Sequence, residues 1–532
     1  MPEETRHTVR SKSQVSEIMS RIGSRNTGPE RIFRKALRRL GLRSFKTCDT
    51  NLPGKPDIVL SGKKMAVFID GDFWHGNQPR MRGFESLQGQ LSGIHNREYW
   101  ESKISRNMAR DFQNTAELLH SGWRVLRFWE SDIRKDPERW AGIVVREYRK
   151  REAAAYAELP ARTVVEMFAG IGLVRLALEP GGWKTVFGND NDPQKFAMYR
   201  ENFGADGFDK RSIHDLVSED IPSCALVTAS FPCNDLSVAG ARNGLNGVQS
   251  STFWGLVRLL EGMGRRRPPL VLLENVPGFL ASHGGEDFES ALLALNSLGY
   301  SCDAFLIDAV WFVPQSRLRV FVVAKQVPPC PEPKVITTNL RPSALVKFIR
   351  GHSNIGWDIR PLPEIQPKRV ALPSVLEDLA QDDPRWWPRE RAEYFINQLS
   401  LRHRRTAEFM ISQREMSYGT AFRRIRHGKS MAELRVDGIA GCLRTPRGGS
   451  GRQILFKAGR GKYQVRLLTP RECARLQGVP DESFRITVRD NYAFFGFGDA
   501  VCVPVIHWIA ENYLNPEASE LIRGRVLARS RQ

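Results

Sequence analysis

The chain has 532 residues, with 79 Lys and Arg against 59 Asp and Glu, a formal charge of +20. At 41% hydrophobic and 26% charged residues it can bury real cores, which excludes a collagen-like or wholly disordered chain, and it exceeds the roughly 250–300 residues at which a single core stops growing. Its apolar runs, such as Leu270 to Leu273 and Val320 to Ala324, are far shorter than the ~18–20 residues of a membrane span, and the acidic start carries no leader pattern, so a cytoplasmic protein with no membrane partner is expected.

Eight cysteines without a C-x-x-C pair or zinc spacing make disulfides and structural zinc unexpected. The basic excess fits neutralised phosphates and hence a double-stranded DNA partner, or else a merely solvated basic face; motifs have to decide between the two.

Near the N-terminus, Asn26-Thr27-Gly28-Pro29-Glu30 precedes Phe33, Leu37 and Leu40 at helical spacing, which predicts an amphipathic helix within Ser20 to Leu40. Leu52 to Leu60 and Met65 to Ile69 then read as two strands, the first carrying Asp57 and the second running on through Asp70, Phe73 and Trp74 to His75. Hard cations such as Mg²⁺ take one or two carboxylates and keep waters free, so a metal on Asp57 could activate water against a phosphodiester, with His75 as acid or base.

A charged, small-residue stretch from Arg149 to Arg162 reads as a helix running into a linker. Beyond it, Thr163 to Phe168, Lys184 to Phe187, Ala225 to Thr228, Leu270 to Leu273 and Arg319 to Ala324 are strand-like runs separated by helical patterns, which predicts an open α/β sheet with ligands at the carboxyl ends of its strands. Phe168-Ala169-Gly170-Ile171-Gly172 is a glycine turn between strand and helix. Twenty residues after Gly170, Asp190 stands where a carboxylate can accept ribose hydroxyls. Pro232-Cys233 follows one strand and Glu274-Asn275-Val276 ends another. Arg317 and Arg319 alternate with period two, so a thiol, a carboxylate and two guanidiniums converge. A proline-rich break at Val327 to Pro333 is followed by an irregular basic region, with little strand alternation, to about Asp437.

In these motifs, together with Phe497-Gly498-Asp499-Ala500-Val501, residues from about 163 to 515 resemble the cytosine-5 DNA methyltransferases. The resemblance implies a Rossmann-like sheet and S-adenosylmethionine held by Phe168, Gly170, Gly172, Asp190, Asp215, Pro232 and Asp499, with a target-recognition region between Arg319 and the last motifs. It makes Cys233 the nucleophile that adds to carbon 6, Glu274 the carboxyl on ring nitrogen 3 and the amino group, and Arg319, supported by Arg317, the group on the ring carbonyl. Carbon 5 of cytosine needs such help because it becomes nucleophilic only after thiolate addition. Departures are Asn234 for Gln, Asp499 for Asn, and Asn191 for an aromatic residue.

Residues from about Lys12 to Ile133 resemble the very-short-patch repair endonucleases, through Asn26-Thr27-x-Pro29-Glu30, Pro53-Gly54-x-Pro56-Asp57, Phe73-Trp74-His75, Tyr99-Trp100-x-x-Lys103-Ile104 and Gly122-Trp123-Arg124-Val125-Leu126. This implies a restriction-endonuclease-like α/β domain. Asp57 and the Ile69 carbonyl would hold Mg²⁺, His75 would be catalytic with Glu30 as helper, and Phe73, Trp74 and Trp100 would form a wedge into the base stack. Asp72 and Ser131 stand where that family has zinc-binding cysteines, so no zinc is expected.

The expected organisation is a nuclease-like domain over 1–150, a linker over 151–162, a catalytic domain over 163–330, a recognition domain over 331–437, closing motifs over 438–515 and a basic tail over 516–532, in a monomer. The resulting expectation is an S-adenosylmethionine-dependent methyltransferase acting at a specific DNA site, joined to a nuclease for T:G mismatches. A single-chain restriction-modification enzyme and a methyltransferase with a merely DNA-binding N-terminal domain are the alternatives.

Overall fold

The computed structural model describes residues 26–77, 91, 96–121, 123–149, 162–232, 251–330, 332–368, 370–426, 428–445 and 451–520. The chain forms two compact units, Met1–Ala154 and Ala155–Gln532. Cys233 and Asn234 lie outside the described residues.

In the first unit, α1 (Gly28–Arg39) begins as its sequence predicts, with a capping box. The Thr27 hydroxyl accepts from the Glu30 amide, and the Glu30 carboxylate accepts from the Thr27 amide, so two donors the helix leaves unpaired are satisfied. Its apolar side, Phe33 and Leu37, is fully buried. The sheet has three strands, β1 (Ile58–Leu60), β2 (Met65–Asp70) and β3 (Arg124–Trp129), with β1 antiparallel to β2 and β2 parallel to β3. A parallel pair needs a long crossover, and α2 (Arg97–His120) lies in that connection.

The second unit is built on a seven-stranded sheet of β4 (Thr163–Met167), β5 (Lys184–Asn189), β6 (Phe208–Asp209), β7 (Leu226–Ala229), β8 (Leu270–Asn275), β9 (Ser301–Asp308) and β10 (Leu318–Lys325). Its order is β6-β5-β4-β7-β8-β10-β9, and β10 alone runs opposite to the other six strands. Alternate side chains serve opposite faces: Val164 enters one core, Val165 and Met167 the other. The chain order reverses between β5 and β7 on either side of β4, which opens a crevice at the carboxyl ends of the strands.

The helix α3 (Pro193–Phe203) follows β5. Further on, α4 (Arg389–Gln398) and α5 (Leu401–Ser412) cover a second sheet, β11 (Ser417–Arg426), β12 (Lys429–Arg435), β13 (Ile454–Gly459) and β14 (Lys462–Leu467), around Phe395, Phe456 and Val465. The hairpin of β11 and β12 corrects the reading of that region as poor in strands. Asp490–Glu520 is long and apolar enough for a membrane span by length and composition, with mean hydropathy 1.5. It is broken at Ala500–Cys502 into α6 (Asp490–Asp499) and α7 (Val503–Ile509), and Phe497, Ile506 and Ile509 lie in the core of the large sheet.

Glu166, on β4 beside Thr228 of β7, is buried among these strands. Burial pushes its carboxyl up from 4.5 to about 8, with Arg175 opposing. A folded-state pKa above the unfolded one favours folding at low pH, and that contribution fades by up to ~1.36 kcal/mol per pH unit as pH rises through the window between the two values. Glu166→Gln, which mimics the protonated form, is therefore expected to improve in stability relative to the parent from pH 5 to pH 8. Denaturant midpoints at the two pH values measure it; a difference independent of pH would refute the assignment.

Candidate active sites

A cavity of about 430 Å³ opens at the carboxyl ends of β4, β5, β7 and β8. One wall is the turn after β4, where Phe168, Gly170 and Gly172 all have positive φ, at 57°, 56° and 85°. For glycine this conformation is free, whereas for Phe168 it is strained, and strain of this kind persists where surrounding structure fixes a functional loop. Gly172 serves packing: a Cβ there would lie 2.5 Å from the Phe203 ring of α3. Asp190 spans the turn, accepting from the Gly170 amide with one oxygen and the Asp192 amide with the other, each at 2.9 Å. Carboxylate oxygens have two lone pairs each, so acceptor capacity remains. Burial raises the Asp190 pKa, and Lys195 opposes that rise. Such a glycine turn, an acid three residues before α3 and polar strand ends fit a nucleoside with a charged tail.

The opposite wall carries the polar pair expected to act on a base. The Arg319 Nε lies 2.9 Å from the Glu274 Oε1. Glu274 and Arg319 sit on antiparallel neighbours, β8 and β10, whose register places Phe321 opposite Glu274. Asn275 donates through Nδ2 to the Phe231 carbonyl at 3.2 Å, which ties the end of β8 to the segment that leads through Pro232 to Cys233. Asn275 was quoted in the sequence motif without a role; its side chain holds the Phe231 carbonyl.

Two of the expected site residues have other surroundings than the rest. Arg317 is buried and donates to the carbonyls of Leu443 at 3.0 Å and Ala500 at 2.7 Å, so it fastens the closing segments to β10 although its side chain borders the cavity. Asp215 is exposed and does not line the cavity; Ser212, Ile213 and His214 do, because the chain turns outward where the Asp215 amide donates to the Ser212 carbonyl. Phe168, Gly170, Asp190, Pro232, Glu274, Arg319 and Asp499 all line it. Lys195 escaped notice in the sequence. Lys195 pairs with Asp499 at 2.7 Å. The Cys442 Sγ accepts from Arg317 at 3.4 Å and Arg319 at 3.9 Å, and although burial works the other way, the two guanidiniums lower its thiol pKa.

In the first unit, Asp57 accepts from the Ile69 amide at 2.7 Å. Burial, with Glu30 and Asp70 nearby, pushes Asp57 up from 3.8 to about 7. Glu30 is committed to the start of α1, accepting from the amides of Asn26 at 3.0 Å and Thr27 at 3.1 Å, and reaches Asp57 through its charge. His75 Nδ1 makes a short hydrogen bond to Asp111, and although burial lowers the His75 pKa, that bond and the charges of Asp70 and Asp111 raise it overall. Arg127 grips Asp70 with two bonds of 2.7 Å, keeping it from approaching as a free charge. Among the described residues no three His, Cys, Asp or Glu gather closely enough to hold a metal by themselves. One carboxylate and a carbonyl, with waters and phosphate completing the shell, fit Mg²⁺.

Asp72 and Ser131 are joined instead by hydrogen bonds, from the Ser131 amide at 3.1 Å and hydroxyl at 2.8 Å, with Asn77 as a third partner. Phe73 meets Trp74 and Trp100 edge to face and the two indoles are tilted against each other, with centroids 5.1 to 5.8 Å apart and the Lys103 ammonium over both tryptophans.

Residues 162–515, two thirds of the chain, match the family described as C-5 cytosine-specific DNA methylase. The chain belongs to this family. Residues 7–80 match a second family, DNA mismatch endonuclease Vsr. The type II methyltransferase M.DsaV of Dactylococcopsis salina is 29% identical over 66% of this chain and 85% of its own length. M.HhaI of Haemophilus parahaemolyticus, also a type II methyltransferase, is 26% identical over 65% of this chain and 93% of its own length. The type II nicking enzyme V.NmeDIP of Neisseria meningitidis serogroup C is 40% identical over 23% of this chain and 78% of its own length. The cytosine-5 methyltransferase is thus joined in one chain to a Vsr-type endonuclease region, and both halves are DNA-acting enzymes that use, on the methyltransferase side, S-adenosylmethionine.

Proposed function

We propose that the chain methylates carbon 5 of cytosine within one short DNA sequence and nicks the T:G mismatch that deamination of that product leaves. The observation that carries the first half is the pairing of Glu274 and Arg319 at 2.9 Å in a cavity continuous with the glycine turn. The methyl donor supplies one electrophilic methyl group; the chain's residues prepare its acceptor. Cys233 adds to carbon 6, Glu274 hydrogen-bonds ring nitrogen 3 and the amino group as negative charge develops, and Arg319 holds Glu274 in place; once carbon 5 has taken the methyl group, loss of the carbon-5 proton to a base and departure of the Cys233 thiolate from carbon 6 restore the aromatic ring. The target base must leave the stack to reach them, at a cost of a few kcal/mol, which phosphate contacts from a chain of charge +20 offset.

In the nuclease half, Asp57 and the Ile69 carbonyl would hold Mg²⁺, which when bound polarises a phosphodiester and its attacking water. His75, oriented by Asp111, moves the proton. Phe73, Trp74 and Trp100 supply the wedge that distinguishes a mismatch from a sound duplex.

DNA treated with the protein and isotopically labelled methyl donor, digested to nucleosides, is expected to carry all of its label in 5-methylcytosine, within one sequence context. Label on another base, or in every context, would overturn the reading.

A further inference from the structure

The helices over the smaller sheet of the second unit carry a cluster that the methyl-transfer cavity does not use. Trp387 stands just before α4, held by its amide, which donates to the Val465 carbonyl at 2.8 Å, and by an edge contact with the buried Phe395 ring. Two guanidiniums lie over its indole, Arg391 from α4 with its Cζ 4.2 Å from the ring centroid and Arg423 from β11 at 5.5 Å. Arg423 is fixed further: its Nε donates to the Gln398 Oε1 at 2.9 Å, and the buried Gln398 in turn donates to the Ser430 hydroxyl at 3.2 Å.

Other arginines of this layer are matched with carboxylates, Arg389 with Glu393 at 2.7 Å, Arg424 with Glu433 at 3.6 Å and Arg435 with Asp437 at 2.7 Å. Arg391 and Arg423 meet no carboxylate among the described residues, and their terminal nitrogens make no hydrogen bond there. Burial and the Arg391 charge both lower the Arg423 pKa. Two like charges on one ring repel, and the indole attracts each of them without neutralising either. A single surface arginine needs no explanation. Two held side by side with their donors free make a preformed receptor for an anion that offers several oxygens.

We propose that Arg391 and Arg423 grip a backbone phosphate of the DNA duplex, with Trp387 as the platform that holds both guanidiniums ready. A phosphodiester supplies one negative charge and two free oxygens, one for each planar fork. Duplex DNA repeats that group along both strands, and a chain of charge +20 is drawn to it. Such a contact carries no sequence information; it sets the position of this layer on the duplex and leaves base reading to other side chains. The proposal rests on the reading that the chain acts on a DNA site.

Fluorescence anisotropy of the full chain over a series of salt concentrations tests it, with two labelled duplexes of equal length, one carrying the sequence methylated in the labelling experiment and one with that sequence scrambled. Arg391→Gln and Arg423→Gln are each expected to weaken both duplexes by the same factor, about three- to tenfold at moderate salt. Together they are expected to make the plot of log affinity against log salt shallower by about one unit, the loss of one neutralised phosphate. Arg391→Lys keeps the charge and is expected to keep the parent's slope. The melting temperature of Arg391→Gln should stay at or above the parent's, because one of two like charges is gone. Loss confined to the methylated sequence, with the slope unchanged, would overturn the proposal by making the pair a reader of bases. Unchanged binding to both duplexes would overturn it outright, and so would weakening that tracks a lowered melting temperature, which would make the pair a support of the layer. A parent chain that binds neither duplex would remove the DNA reading beneath the proposal, a result separate from the others.

Discussion

Cys233→Ser is expected to abolish methyl transfer, and Glu274→Gln to slow it by about 10²–10⁴-fold, the range associated with a lost general acid or base. The serine variant fails because a hydroxyl is far less ionised than a thiol at neutral pH and a poorer nucleophile, so carbon 5 is never activated. In Glu274→Gln the amide keeps the shape of the site but can no longer exchange a proton with ring nitrogen 3. It also leaves Arg319, only 15% exposed, without its anionic partner, and removing one member of a shielded pair destabilises a fold. Thermal melting has to accompany the kinetics, so that lost chemistry is separated from lost structure. Single-turnover methyl transfer under saturating DNA and donor isolates the chemical step. A glutamine variant with unaltered turnover would remove Glu274 from the mechanism, and a serine variant with full activity would remove the covalent route altogether.

How much of this was legible in the sequence depends on whether a residue's role follows from its own neighbours. The strands β4, β7 and β8 are short apolar runs buried on both faces, β5 and most of β10 are apolar too, and such runs announce themselves. β9 was missed because Ser301, Asp303 and Asp308 interrupt its apolar pattern, and buried Asp303 is tolerable only because Arg341 and Tyr513, distant in sequence, bond to it. β11 was missed because Arg423, Arg424 and Arg426 mask its alternation; its packing rests on small residues, Thr420 and Ala421. Local capping made α1 readable from Thr27 and Glu30 alone. The site divides the same way. Phe168, Asp190, Glu274 and Arg319 end strands or turns and stand out, whereas Lys195 and Asp111 acquire meaning only when Asp499 and His75 are brought to them. Glu30 was assigned to catalysis by motif, yet its oxygens are taken by backbone amides at the start of α1. Arg317, expected to support Arg319, holds carbonyls more than a hundred residues away in sequence, which no local pattern announces.

Asp57→Ala is expected to eliminate Mg²⁺-dependent nicking while leaving methyl transfer intact, since the two activities draw on separate units. The parent chain, given matched duplexes with a T:G mismatch, with full pairing, or paired and premethylated, is expected to nick the mismatch alone. Cutting of paired, unmethylated DNA would mean restriction in place of repair, and silence on all three duplexes would reduce the N-terminal unit to a DNA-binding appendage. The Asp57 carboxyl, pushed up to about 7 by burial and by Glu30 and Asp70, gives the activity a pH signature. Below that pH a cation must displace a proton, so the Mg²⁺ concentration needed for half-maximal nicking should rise by up to about tenfold per pH unit; above it the requirement should level off. Asp111→Asn provides the complementary control. It removes the partner that raises the His75 pKa, so the histidine limb of the pH profile should move to lower pH while the dependence on Mg²⁺ is kept. If both variants lost activity with the same metal and pH dependence, the division of labour between a metal-holding Asp57 and a proton-moving His75 would be wrong.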